Sequence, residues 1–217
     1  MNTIIDFANT FKNNVVISSY DIKKEFPKFY NHRLVEWQKQ GYIKKVIRGF
    51  YILSSSEINE FSSFAIANKI YEPSYISLES ALRYYNFIPE QTFTVASIST
   101  RKTKKFMTPI DNFVYNNITP SLFFGYEIIH FKNLFFKIAD REKAILDYLY
   151  FHRHFKTEKD IEELRFNIEE IRNTLDLNKF NDYLLKYNNM SFKKIINNFL
   201  NYIYHDQSFR DSKRISK

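Results

Sequence analysis

Glycine occurs three times in this 217-residue chain, and two of the three, Gly41 and Gly49, stand eight residues apart in LVEWQKQGYIKKVIRGFYIL (34–53). A backbone uses glycine where it must turn or take positive φ without a Cβ in the way. Two such points so close, with Lys44, Lys45 and Arg48 between them, predict a helix that stops at Gly41 and a basic β-hairpin that turns at Arg48-Gly49. The same scarcity removes whole function classes. A P-loop or a dinucleotide fingerprint needs several glycines so that backbone amides can approach phosphates, and the third glycine, Gly125, stands alone.

Upstream of the hairpin the pattern is helical. TIIDFANTF places Ile4, Ile5, Ala8 and Phe11 on one face of a first helix. Val15, Val16 and Ile17 form a short β-prone stub, and Ser18 or Ser19 caps a second helix carrying Ile22 and Phe26. Pro27 breaks that helix and fits the first turn of a third, PKFYNHRLVEWQKQ (27–40), which buries Leu34 and Trp37, with Tyr30 able to face either way. Helix, short strand, helix, turn, helix and basic hairpin is the order of a winged helix-turn-helix over residues 1–55. Its third helix enters the major groove of DNA. The outward positions are Lys28, Asn31, His32 and Arg33, with Tyr30 as a further contact. Arginine suits guanine and asparagine suits adenine through bidentate geometry. Lys44, Lys45 and Arg48, with Lys23 and Lys24, then meet phosphates or probe the minor groove.

Beyond the hairpin, SSSEIN (54–59) reads as a polar hinge into a helix over 57–70 that Pro73 ends. Ser77 caps LESALRYYNF, whose Leu78, Ala81, Leu82 and Tyr85 share a face. TFTVASIST is a strand, RKTKK (101–105) a basic turn, FMTPIDNFVYNNI a second strand region, and LFFGYEIIHFKNLFFKIA a hairpin turning near Lys132-Asn133. Phe123-Phe124 and Phe135-Phe136 are read as adjacent pairs within strands, one of each pair facing away from the other. Asp140 caps REKAILDYLYFHRHF, with Ala144, Ile145, Tyr148 and Leu149 against the sheet. Thr157 caps a segment carrying Ile161, Leu164, Ile168 and Ile171, and helices near 177–187 and 191–204 follow. The expected fold class is α+β: a winged helix-turn-helix, then a mixed, mainly antiparallel sheet domain over 56–205 with a helical C-terminal region. Residues 206–217 read as a disordered basic tail.

Charge alternates along the chain. The net charge is +8 with a pI near 9.4, which favours an anionic partner. Residues 1–55 hold nine basic against four acidic side chains, residues 56–100 two against five, residues 157–185 four against eight, and residues 186–217 seven against two. The first block is where charge coincides with a recognisable motif. No apolar run is long enough to span a membrane, and the N-terminus lacks the pattern of a signal peptide. With no cysteine there is no disulfide and no thiolate site, and a cytoplasmic protein is the expectation.

In this order the motifs resemble the AbiEi antitoxins, the transcriptional-regulator half of type IV toxin–antitoxin and abortive-infection systems. The matching pieces are KQGYIKKVIRGFYIL, YISLESALRYYNFIPE, STRKTKKF, the pair Gly125-Tyr126, and ADREKAILDYLYF, which together cover about residues 5–155. The resemblance implies a two-domain repressor. Its winged helix binds double-stranded operator DNA of its own operon, and its C-terminal domain counters a nucleotidyltransferase-like toxin without a tight complex being required. To Arg101, Lys102, Lys104 and Lys105 it carries only a position, a basic turn for nucleic acid or a partner, against a solvated loop as the plain alternative.

Catalysis finds little support. His152 and His154 are two apart on a helix and so diverge, no serine stands in a Gly-x-Ser-x-Gly elbow, and neither a metal nor a cofactor is expected. Asp140, Glu142 and Asp147 cluster, but an N-cap and a first helical turn account for carboxylates there. The alternative to a DNA-binding repressor is a protein- or RNA-binding regulator whose winged helix is only structural.

Overall fold

A computed structural model describes residues 3–89, 94–155 and 158–205. It is mixed α+β. The N-terminal unit runs α1 (Ile4–Phe11), β1 (Ile17–Ser18), α2 (Ser19–Glu25), α3 (His32–Lys39), β2 (Ile43–Ile47) and β3 (Phe50–Leu53), with the strands in the order β1-β3-β2, all antiparallel. Local chemistry sets its joints. Ser18 and Asp21 form a reciprocal capping box at the start of α2, Ser18 Oγ accepting the Asp21 N–H at 3.0 Å and Asp21 Oδ2 accepting the Ser18 N–H at 2.9 Å. Gly41, at φ +78, carries the chain out of α3, and Gly49, at φ +86, turns the hairpin. The Gly49 carbonyl then accepts the Ser19 N–H at 2.8 Å, tying the hairpin to the start of α2.

Phe7, Phe11, Ile17, Ile22, Leu34, Trp37, Ile43 and Leu53 form a small core of their own. Their neighbours Val16, Val46 and Ile52 face the other way and join the main core of the chain. A bulge between Lys45 and Ile47 in β2 accompanies this two-sidedness.

The larger part is a six-stranded sheet ordered β6-β7-β5-β4-β9-β8, built from β4 (Ser74–Ile76), β5 (Thr94–Ser99), β6 (Lys104–Met107), β7 (Asn112–Asn117), β8 (Tyr126–Phe131) and β9 (Leu134–Ala139). Three of its five pairings are antiparallel and two, β4 with β9 and β5 with β7, are parallel. Helices α4 (Glu60–Ile70), α5 (Leu78–Tyr84) and α6 (Arg141–Phe151) pack on it, and α7 (Glu158–Glu163), α8 (Ile168–Thr174), α9 (Leu177–Leu185) and α10 (Met190–His205) follow. The sheet, its helices and the C-terminal helices share one core.

Several expectations are corrected. Helix α3 begins at His32 and not at Pro27. Phe26 sits before proline in a non-helical conformation, and Phe29 turns inward to meet Trp37 at 5.6 Å and Phe7 at 6.1 Å. Tyr30 is 68 % exposed and takes no part in the buried face, and in α1 Phe7 is buried while Ile5 is exposed. Helix α4 starts at Glu60, capped by Asn59. The Ser77 hydroxyl makes no cap bond and donates to Asp147 instead. His152 and His154 lie beyond the end of α6, their rings 5.9 Å apart, so helical divergence does not describe them. Phe123 and Phe124 precede β8 and are not strand residues, and Lys104 and Lys105 belong to the edge strand β6 and not to a turn. The Thr157 cap and the tail at 206–217 lie outside the described residues.

Candidate nucleic-acid interface

The basic face of the N-terminal unit is built by α3 and the β2–β3 hairpin, which the chain joins directly: the Tyr42 N–H donates to the Trp37 carbonyl at 2.9 Å. Burial of Leu34 and Trp37 turns the opposite side of α3 outward, where His32, Val35, Glu36 and Lys39 fall at helical spacing and all are exposed. Asn31 is exposed at the N-cap position with no side-chain cap bond, leaving its amide free of that local use. Lys28 and Tyr30 are exposed in the connection before the helix, and Tyr30 lies 5.8 Å from the His32 ring. Arg33 is half-buried, its guanidinium 5.9 Å above Trp37. Of the third-helix residues expected at this face, His32 alone points straight outward from the helix. Val35 and Lys39 are outward residues that the sequence reading passed over, although the i, i+3 and i+7 spacing from His32 marks them once the helix start is known.

On the hairpin, Lys44, Lys45 and Arg48 are all exposed. Among the described residues no carboxylate lies within ion-pair distance of any of the three. No Asp or Glu occurs between Glu36 and Glu57, so the hairpin carries no acidic side chain of its own. Lys44 and Lys45 are consecutive and point to opposite sides of β2, and Arg48 occupies the turn. An extended positive projection of this kind attracts polyanions over about a Debye length, roughly 8–10 Å at physiological salt.

The second basic group is structured differently. Arg101 stacks 4.2 Å over the Tyr71 ring and its Nη1 donates to the Glu72 carbonyl at 3.1 Å. The Lys102 carbonyl accepts the Tyr71 hydroxyl at 2.7 Å, and Asn117 Nδ2 donates to the Thr100 and Arg101 carbonyls at 3.1 and 2.8 Å. Arg101 therefore holds the loop together. Lys104 and Lys105 project to either side of β6, the outermost strand, where lysine guards an open edge against unwanted pairing.

The carboxylates of α6 form a buried polar knot that the sequence reading did not foresee. Asp140 does cap the helix, its Oδ1 accepting the Lys143 N–H at 2.9 Å, and Glu142 does stand in the first turn. Asp147 lies a turn further on and is fully buried beside the Lys143 ammonium. Asp147 Oδ2 accepts Tyr75 and Ser77 hydroxyls, each at 2.9 Å, while Oδ1 accepts Lys143 Nζ and, at 3.3 Å, the Tyr187 hydroxyl. Tyr187 in turn accepts from Lys143 Nζ at 2.8 Å, and the ammonium also sits 4.9 Å from the Phe124 ring. Burial drives the Tyr75 and Tyr187 phenols well above their ordinary pKa, reinforced by the Asp147 charge, and it holds the Lys143 ammonium below its own, with Asp147 opposing that shift. Lys179 clamps Asp140 and Glu142 at 3.1 and 2.9 Å, and Tyr183 donates to Asp140 at 2.9 Å, fastening α9 to the start of α6. All four acceptor sites of Asp147 are taken, so the knot is a fastener with no side open to a substrate. The i, i+4 spacing of Lys143 and Asp147 was its only local signal; Tyr75, Ser77 and Tyr187 arrive from 40 to 72 positions away.

Among the described residues no group of three or more His, Cys, Asp or Glu could hold a metal ion, and no helix is long and apolar enough to cross a membrane. Comparison with protein-family models and with curated proteins returned no match for this chain.

Proposed function

We propose that this chain is a DNA-binding transcriptional repressor and the antitoxin of a type IV toxin–antitoxin system. In this reading the N-terminal unit is a winged helix-turn-helix, α3 the helix offered to the major groove and β2–β3 the wing. The protein works in the cytoplasm, represses its own operon and counters a nucleotidyltransferase-like toxin in abortive infection, a phage defence. The observation that carries the DNA-binding half is the solvated, carboxylate-free hairpin with Lys44, Lys45 and Arg48 beside the outward flank of α3. Asn31, His32 and Lys28 supply hydrogen-bonding groups there, and Val35 offers an apolar contact of the kind that meets a thymine methyl. The antitoxin half rests on the motif resemblance.

A mobility-shift titration with duplex from upstream of the gene, against random duplex of equal length, tests it. Preference for the upstream duplex is expected, with a log–log salt slope of about −0.9 per phosphate contact. Replacing Lys44, Lys45 and Arg48 by Gln should flatten that slope by up to about 2.7. Equal binding of both duplexes, or an unchanged slope in the triple variant, would reject the proposal. A second reading, a protein-binding regulator, is favoured by the exposed Ile128 and Phe135 on one face of the β8–β9 hairpin; it predicts partner capture lost on substituting those two with duplex binding untouched.

A further inference from the structure

The two edges of the six-stranded sheet are built in opposite ways. At one, β6 presents Lys104 and Lys105; the smaller sheet likewise ends in β2, with Lys44 and Lys45, and in β1, which is two residues long. Lysines and short strands keep an open edge from pairing with another chain. The other edge of the large sheet, β8, reads YEIIHF and has neither lysine nor proline. Its one carboxylate, Glu127, is turned to the face opposite Ile128 and accepts the Tyr85 hydroxyl at 2.8 Å. The backbone direction of β8 is set from within. The Gly125 carbonyl accepts the Asp140 N–H at 2.9 Å, in line with the β8–β9 register. Odd-numbered residues therefore bond to β9, and Tyr126, Ile128 and His130 turn their N–H and C=O groups outward. Among the described residues these outward backbone groups meet no partner.

The side chains of the same three residues share one face, and Phe135, opposite His130 in the ladder, joins them there. Tyr126 is 36 %, Ile128 53 % and Phe135 65 % exposed, while the Lys137 ammonium lies folded 5.9 Å over the Tyr126 ring. Free amides and carbonyls call for another extended strand, and the apolar face calls for one that brings apolar side chains to the same side. A second β8 meets both demands. Under a twofold axis normal to the sheet, two copies run antiparallel with the same face up, so even-numbered residues meet even-numbered ones. Centring the axis on Ile128 pairs that residue with its own copy and Tyr126 with the second copy's His130, for about six backbone hydrogen bonds. It also merges the Tyr126, Ile128 and Phe135 patches of the two copies. We propose that β8 is a dimerisation edge, through which two copies of this chain join their sheets into one. At about 200 Å² per large side chain, the exposed parts of the three residues amount to roughly 300 Å² per copy. Twice that, with the strand edges added, stays below the roughly 1,200 Å² of a standard interface, which is the class of weak and reversible complexes.

Sedimentation equilibrium on the full chain should show reversible monomer–dimer exchange with a Kd between about 1 μM and 1 mM. Ile128→Lys places like charges across the axis and removes apolar contact, and it should raise that Kd at least about tenfold. His130→Pro deletes an outward N–H that β9 does not use and should weaken the dimer by an independent route, thermal melting confirming that each variant is folded. The chain has no cysteine of its own, so Ile128→Cys reports the register. On the axis two Cα atoms lie about 5.5 Å apart, within reach of a disulfide. Under mild oxidation this variant should cross-link well ahead of Met107→Cys, an exposed control on β6. A monomer throughout that concentration range, a dimer indifferent to both Ile128→Lys and His130→Pro, or equal cross-linking of the two cysteine variants would overturn the proposal. So would capture of a different protein through Ile128 and Phe135 by a chain that never self-associates. No DNA enters these assays, so their failure leaves the repressor reading standing, and loss of duplex preference leaves the dimer standing.

Discussion

Replacing Asp147 by Asn removes the carboxylate that directly bonds the Lys143 ammonium while keeping the side chain's shape. Both partners are completely buried, so the ammonium loses its counter-ion in a place water does not reach. Tyr187, at 2.8 Å, remains as its only strong acceptor besides the new amide oxygen. Breaking a buried pair from one side costs about 3–5 kcal/mol because an uncompensated charge is left behind. Against a total of roughly 5–15 kcal/mol for a natural domain, that is a large fraction. In a chain of this size it corresponds to a fall in Tm of roughly 6–20 °C. The loss also has a pH signature. Burial already holds the Lys143 pKa below its ordinary 10.5, and Asp147 is the first-named force opposing that shift. Without Asp147 the folded-state pKa drops further. Between the folded and unfolded values the unfolded chain binds the extra proton, so stability rises with pH across that window. The deficit of Asp147→Asn relative to the parent should therefore narrow as pH is raised toward the ordinary lysine value. Chemical denaturation at several pH values, with the Lys143→Met single and Lys143→Met/Asp147→Asn double variants completing a cycle, measures it. A Tm within a degree or so of the parent, a deficit that widens with pH, or fully additive single effects would refute the reasoning.

Other consequences are more local. Gly125→Ala should cost about 2–5 kcal/mol: a Cβ at φ +69 is strained, and it would meet Tyr183 Cε2 at 2.8 Å and Lys143 Cβ and Cγ at 3.1 Å, the latter pinned by its buried pair. Tyr75, Tyr187, Tyr85 and Tyr115 are raised chiefly by burial, and Tyr183 is pushed up to about 12. Their raised values leave stability intact below pH 10 and erode it above, so the part of the 295 nm tyrosinate absorbance that belongs to these buried tyrosines should appear in one cooperative step with loss of helical circular dichroism; its smooth appearance in a folded chain would contradict this. Arg101→Ala should lower stability by about 0.5–1 kcal/mol through the lost stacking on Tyr71 while leaving the salt slope of duplex binding unchanged; a flattened slope would make Arg101 a phosphate contact after all.

What the sequence disclosed depended on range. Ser18, Gly41 and Gly49 act through their own backbone or through residues three or four away, and their caps and turns stand where composition put them. The four-residue face of α5 and the Lys132-Asn133 turn were legible for the same reason. Pro27 misled because Phe29 had a tertiary reason to turn inward, toward Phe7 and Trp37, and that aromatic packing delayed the helix by five residues. Ile5 and Phe7 both fit helical periodicity, and only the position of the neighbouring core decides which is buried. The basic hairpin was readable as charge between glycines. Its lack of nearby carboxylates is spatial, as are the role of Arg101 as a loop fastener and the gathering of Tyr75, Ser77 and Tyr187 on Asp147.

Val16, Val46 and Ile52 belong to the larger core, so the amino-terminal fifty-odd residues are not simply a bead on a string. Scissors applied between Leu53 and Glu60 would leave both fragments with a raw apolar scar, inviting clumping. The amino-terminal unit thus shares part of its burial with the larger part and loses it if the two are parted.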